Sequence, residues 1–274
     1  MATGFALTVG LNEVDPKHYQ GWSGPLQACE ADATDMAALL RSRNFEVTTL
    51  LTKSATRGAV RNAISNVAKI AREGDIFVFT TSSHGSQLPD LNRDEDDGLD
   101  ETVCMYDGQI VDDEIYQLLG EFKRGVRIFV LSDSCHSGTV LKFSPSGDPV
   151  STPPPPGRIP RGMPIELVAR TYRANQNMYD PILKNRSLVV ARDAIQASAL
   201  LMSGCMDNQT SSDGVFNGLF TGTLLRVWNG GKFKGSYKKF WKKIMSLMPA
   251  DQTPNFFWAS NRDAQFERQT PFTV

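Results

Sequence analysis

The chain has 274 residues, 41% hydrophobic and 22% charged, which is enough to bury a sizeable core and unlike collagen, a coiled coil or a disordered tract. Its 29 Lys and Arg against 30 Asp and Glu leave a net charge of -1, so no global field draws it to nucleic acid or anionic lipid. Cys29, Cys104, Cys135 and Cys205 are scattered without CxxC pairs, the opening MATGFALTVGLNE lacks a signal-peptide pattern, and no run reaches the roughly 18 apolar residues of a membrane span. Free thiols in a cytoplasmic protein, with no membrane and no nucleic-acid partner, are the expectation.

The first half alternates strand-length apolar runs with helical spacing, the mark of an α/β protein with a central, mostly parallel sheet. FALTVGLN (5–12) predicts a strand, and Ala28, Met36, Leu39 and Leu40 predict a helix over 28–41 that stops near Asn44. EVTTLLT (46–52) predicts a second strand and 56–71 a second helix. IFVFTT (76–81) is apolar enough for a strand covered on both faces, and it ends in Ser82, Ser83 and His84. An acidic loop and a short helix over 113–122 lead into VRIFVLSDSC (126–135), again a buried strand with polar residues at its carboxyl end. From 142 to 187 the periodicity is lost, and STPPPPG forbids helix or interior strand, so a Pro-rich linker is expected between parts 1–141 and 188–274 of one domain. Order returns with ALLMSGC (199–205), helices over 214–228 and 236–248, and a last strand at 255–259.

His84 and Cys135 each follow a buried strand, where an open parallel sheet binds its ligands. A thiol with a reference pKa of about 8.5 is mostly protonated at neutral pH, so a nucleophilic cysteine needs an imidazole to accept its proton. Gly85, directly after His84, offers a backbone N–H for a developing oxyanion, alongside that of Cys135. A C-x5-R phosphatase loop is excluded because Leu141 stands where Arg is required. Zinc would want three or four short-spaced ligands, and only Cys135 and His136 adjoin.

The strand-ending His-Gly, the DSCHSG block with its cysteine 51 residues after His84, and the downstream SGCMDNQTS resemble the metacaspases among the caspase-like cysteine peptidases. The resemblance runs from about residue 5 to 259. It implies a caspase-like three-layer sandwich with a sheet of six or more strands, and a Cys135/His84 dyad that cleaves peptide bonds through an acyl-enzyme. The positions matching the family's pocket are Cys29, Asp32, Ser82 and Asp133, with Asp207 added from the same region. Two carboxylates in a walled pocket select a cation, so protein or peptide substrates cut after Arg or Lys are expected; an Asp there would meet like charge at a cost of roughly several kcal/mol. The competing reading is a catalytically silent caspase-like interaction module.

The tract DLNRDEDDGLDE fits no EF-hand register. The family's calcium site matches Asp100, Asp112 and Asp113, but its fourth acidic position aligns with Lys142, whose ammonium removes a ligand oxygen and adds like charge. Either calcium binds weakly or activity does not need it, so no cofactor is required. Lys142, Arg158, Arg161, Arg170, Arg173, Lys184 and Arg186 lie in the linker region, where an enzyme cutting after basic residues would cut itself. Tyr237, Phe240, Trp241, Ile244, Met245 and Met248 mark a core-packed helix with a solvated lysine face rather than a nucleic-acid patch. The resemblance implies a monomer.

Overall fold

A computed structural model describes residues 1–92, 98–134, 159–205, 212–214 and 216–274, with the backbone alone at 141–143 and 149–151. In chain order the elements are β1 (Gly4–Gly10), α1 (Cys29–Arg41), β2 (Phe45–Leu51), α2 (Arg57–Ile70), β3 (Ile76–Ser82), β4 (Gly85–Pro89), β5 (Leu99–Met105), β6 (Gly108–Val111), α3 (Asp112–Gly120) and β7 (Arg127–Asp133). They continue with β8 (Leu141–Phe143), β9 (Pro149–Ser151), β10 (Ile159–Pro160), α4 (Ile165–Ala174), α5 (Gln176–Leu183) and α6 (Arg186–Val189). The last are β11 (Ser198–Ser203), β12 (Ser212–Asp213), α7 (Leu219–Trp228), α8 (Tyr237–Met245), β13 (Asn255–Trp258) and α9 (Ala264–Arg268).

Six strands form the central sheet in the order β13-β11-β7-β3-β1-β2, and only β13 runs antiparallel to its neighbour. Burial explains the apolar runs: every residue of β1 and β3 is buried, because helices cover both faces. Alternate side chains serve opposite layers. Phe77, Phe79, Ile128 and Val130 pack with Val60 and Ile64 of α2 and Leu118 and Leu119 of α3. Ile76, Val78, Phe129 and Leu131 pack with Leu40 of α1, Leu224 of α7, and Phe240 and Ile244 of α8. The expected three-layer α/β sandwich is therefore present, with six sheet strands.

Three stretches differ from expectation. Residues 165–189 carry α4, α5 and α6 where no periodicity was expected. Pro181, which reads as a breaker, sits inside α5, and that helix is held by Tyr179 and Leu183 buried against Leu88 and Val111. Residues 85–89, 99–105 and 108–111 form a separate antiparallel sheet, β4-β5-β6, whose Gly, Pro and acidic content hides the alternation of a strand. Helix α7 begins at Leu219 rather than 214, because Gly218 is its extended N-cap and donates its N–H to Asp32. Among the described residues no helix is long and apolar enough to cross a membrane.

Candidate active site

The β3–β7 register pairs Ser82 with Asp133 at the carboxyl ends of two central strands. One residue further, Ser83 Oγ lies 3.3 Å from Ser134 Oγ, so His84 and the start of the DSCHSG block emerge side by side. Cys135 itself lies outside the described residues, as does Asp207.

His84 is buried and oriented from behind. Its Nε2 lies 2.9 Å from the carbonyl oxygen of Gly24. A carbonyl only accepts, so Nε2 carries the proton and Nδ1 presents the lone pair. Nδ1 is buried and has no hydrogen-bond partner among the described residues. The Trp22 ring packs on the imidazole at 4.7 Å between centroids. Burial pushes the His84 pKa down to about 4, against a smaller raising effect of the Gly24 hydrogen bond, so the ring is a neutral base at physiological pH. Gly24 is required on both counts: its φ is +52°, and a Cβ there would stand 2.9 Å from His84 Cδ2.

Beside His84 lies an acidic pocket built from three elements, Asp32 on α1, Asp133 at the end of β7 and Asp213 on β12. All three carboxylates are buried. Each is also held by other groups. Asp32 accepts from Ser82 Oγ at 2.7 Å and from the Gly218 N–H at 2.9 Å. Asp133 accepts from the N–H and hydroxyl of Thr221 in the first turn of α7. Asp213 accepts from the N–H groups of Gln27 and Ala28 at the start of α1. Backbone donors at two helix N-termini thus offset the burial of the anions. Burial raises the Asp32 pKa to about 6, with Arg161 opposing and Asp133 adding to the rise. Cys29, at the first position of α1, is a buried free thiol pushed up to about 12 by burial and is inert as a nucleophile.

The pocket holds the chain's own Arg161, whose side chain is fully buried. Its Nη2 lies 2.8 Å from Asp32 Oδ2 and 2.9 Å from Asp213 Oδ1. Its Nη1 lies 3.0 Å from Asp133 Oδ2 and donates to Ser82 Oγ and to the Asp133 carbonyl. Burial alone would lower its pKa, but attraction by Asp133, Asp32 and Asp213 holds it well above the ordinary value. Gly218 forms the wall, since a Cβ there would stand 2.4 Å from Nη2. The Arg161 carbonyl oxygen accepts from the Gly85 N–H at 2.8 Å.

Cys29, Asp32, Ser82, Asp133 and Gly85, all named from sequence, therefore converge beside His84. Sequence reasoning missed Asp213, Gly24, Gly218 and the role of Arg161 as occupant. Asp213 had a signal, an acidic residue in the SSDG that closes the SGCMDNQTS region. Gly24 had none, because nothing local marks a carbonyl that will face an imidazole. Asp100 lies on β5, and Asp112 and Asp113 open α3; among the described residues no three His, Cys, Asp or Glu side chains form a group that could hold a metal ion. Lys142 lies on β8.

A strand-ended histidine beside an acidic, cation-binding pocket on a six-stranded sheet defines a caspase-type peptidase scaffold. The caspase domain family model matches residues 3–266, and the chain belongs to that family. Within it the similar curated proteins are metacaspases. Metacaspase-1 of Schizosaccharomyces pombe is 30% identical over 249 residues, 80% of this chain and 57% of that protein. Metacaspase-1 of Coccidioides immitis is 31% identical over 249 residues, 80% of this chain and 52% of that protein. The chain thus spans little more than half the length of these relatives. The crystal structure of protein GSU0716 from Geobacter sulfurreducens superposes with a TM-score of 0.89 at 54% identity, covering 99% of each chain.

Proposed function

We propose that this member of the caspase family is a cysteine endopeptidase that cleaves after Arg or Lys, with Cys135 as nucleophile and His84 as acid and base. The observation that carries it is the guanidinium-filled pocket of three carboxylates at the strand end that bears His84. In this reading the Nδ1 lone pair of His84 takes the Cys135 proton, and the thiolate attacks the carbonyl carbon next to the basic residue. The Gly85 N–H stabilises the oxyanion, and His84 then protonates the departing amine. Water, activated by the same imidazole, hydrolyses the thioester. Specificity follows from the charge left when the pocket is empty: a cation offsets part of the charge of three buried carboxylates, and an acidic side chain adds a fourth carboxylate.

The reaction is proposed to need no metal and to proceed in a monomer. The three described cysteines are buried free thiols, which suits a reducing compartment such as the cytoplasm.

The test is turnover of matched fluorogenic peptides ending in Arg, Lys or Asp, with calcium and with chelator. Cleavage after Arg at least about 100-fold faster than after Asp, lost in Cys135→Ala and indifferent to chelator, is expected. Faster cleavage after Asp overturns the specificity. Absence of turnover in every condition favours the silent interaction module instead.

A further inference from the structure

Two rows of side chains cross one end of the central sheet on the face that α2 and α3 cover. Strand register sets Phe79, Val130, Leu201 and Phe257 side by side across β3, β7, β11 and β13, and Thr81, Ser132, Ser203 and Asn255 in a second, polar row. Strand alternation makes this the face opposite the acidic pocket, because the next residues, Ser82 and Asp133, turn toward Asp32 of α1 and Thr221 of α7. Both rows floor a cavity of about 380 Å³, within the roughly 300–1,000 Å³ of small-molecule sites. Val103 of β5 and Tyr116 of α3 also line it. The cavity shares strands with the acidic pocket but none of the side chains that hold Arg161.

The polar row contains buried atoms without partners. Thr81 is 4% exposed, and its Oγ1 has no hydrogen-bond partner among the described residues. The same is true of the Ser132 Oγ beside it, whereas Ser203 Oγ donates to the Cys205 carbonyl at 2.9 Å. A buried hydroxyl left unpaired is destabilising, and two in register on one cavity floor are the kind of feature that the polar edge of a ligand satisfies.

The rows also specify the chemistry of that ligand. Neighbouring strands stand about 4.8 Å apart and alternate residues about 6.7 Å apart, so a flat body of two fused rings covers the apolar row while one long edge reaches the hydroxyls. A hydroxyl both donates and accepts, so Thr81 and Ser132 together match an adjacent N–H and C=O. Arg192, exposed at the edge of the cavity, lays its guanidinium 5.6 Å from the Tyr116 ring centre and 5.8 Å from that of Phe257. Glu101 and Asp112 line the cavity too, so its walls carry both signs of charge and select neither an anion nor a cation.

We propose that this cavity is a second binding site, for a neutral, flat molecule of two fused rings with an amide-type N–H and C=O along one edge. The proposal is independent of the peptidase reading, since neither His84 nor the acidic pocket takes part in it.

The test titrates the full-length protein with 2-quinolinone, a neutral two-ring lactam, by isothermal calorimetry and saturation-transfer NMR. One saturable site per chain is expected, with a dissociation constant below about 1 mM. Thr81→Val and Ser132→Ala each delete one hydroxyl and should weaken binding about fivefold. Neither should lower the denaturation midpoint, because the group removed was unpaired. Leu201→Trp, which fills the cavity, should abolish binding; should it fail to fold, the two hydroxyl variants decide. 2-Naphthoate and 2-naphthylmethylammonium, similar in size but charged, should bind about fivefold more weakly than the lactam. Absence of saturable binding, or binding that both hydroxyl variants leave unchanged, overturns the proposal and leaves water as the partner of these hydroxyls. Tighter binding of either charged analogue than of the lactam overturns it as well.

Discussion

An imidazole as deeply buried as His84 resists a proton, and that has a measurable cost in acid. Its pKa falls from the ordinary 6.5 to about 4, so the unfolded chain binds a proton that the folded chain refuses. Stability from this group is complete above about pH 6.5, declines as the pH falls toward 4, and levels off below, a loss of about 3 kcal/mol. Asp32, raised to about 6, acts in the opposite sense, favouring the fold at low pH and losing that advantage as the pH rises from 3.8. Denaturant titration of wild type and His84→Gln from pH 4 to 7 isolates the histidine: the wild type should lose ground on the variant as pH falls, and parallel curves would contradict the burial argument. Gly24 governs the same ring by position. Gly24→Ala places a methyl 2.9 Å from His84 Cδ2 at φ +52°, so kcat toward an Arg-ended peptide should drop on the order of 100-fold while KM changes little. A variant that alters KM alone would place the effect in the pocket instead.

Among the elements, α2 and α3 are locked by a buried charge cluster on the face of the sheet opposite α1. Glu114 in the first turn of α3 takes Arg57 Nη2 on both carboxylate oxygens at 2.8 and 2.9 Å, accepts from Arg61 at 2.6 Å, and receives the Val111 N–H. Removing the carboxylate strands the Arg57 guanidinium, which is 8% exposed at the side chain, so Glu114→Ala should cost about 3 kcal/mol in chemical denaturation. A loss below about 1 kcal/mol would mean that the cation finds water, as an exposed pair would allow. The elements also show where local patterns mislead. The spacing of Tyr237, Phe240 and Ile244 predicted α8 correctly, because those three side chains are fully buried against the sheet. α5 escaped the same reasoning, since Pro181 masks a helix that Tyr179 and Leu183 stabilise by tertiary contact.

At the scale of the whole molecule, the central sheet was legible in part. The apolar runs at β1, β3 and β7 specify strands buried on both faces whatever their neighbours, because only a parallel sheet covered by helices accommodates them. Polar residues at the carboxyl ends of β3 and β7 then mark the rim where chemistry belongs. His84, Gly85 and Asp133 were readable because each sits at the end of such a run, and Asp32 through the family resemblance. The pocket's third carboxylate, the carbonyl that orients the histidine and the arginine that fills the pocket come from residues 213, 24 and 161, joined to the site by contacts 60 to 186 residues long in sequence. Local periodicity carries no record of such pairings. The sequence by itself determined the strands of the central sheet, the helices of strong amphipathic period and the chemical types at the strand ends, since those depend on near neighbours. Only the tertiary structure decided which cation lies among the three aspartates, because that depends on where the chain after its prolines returns to the cleft.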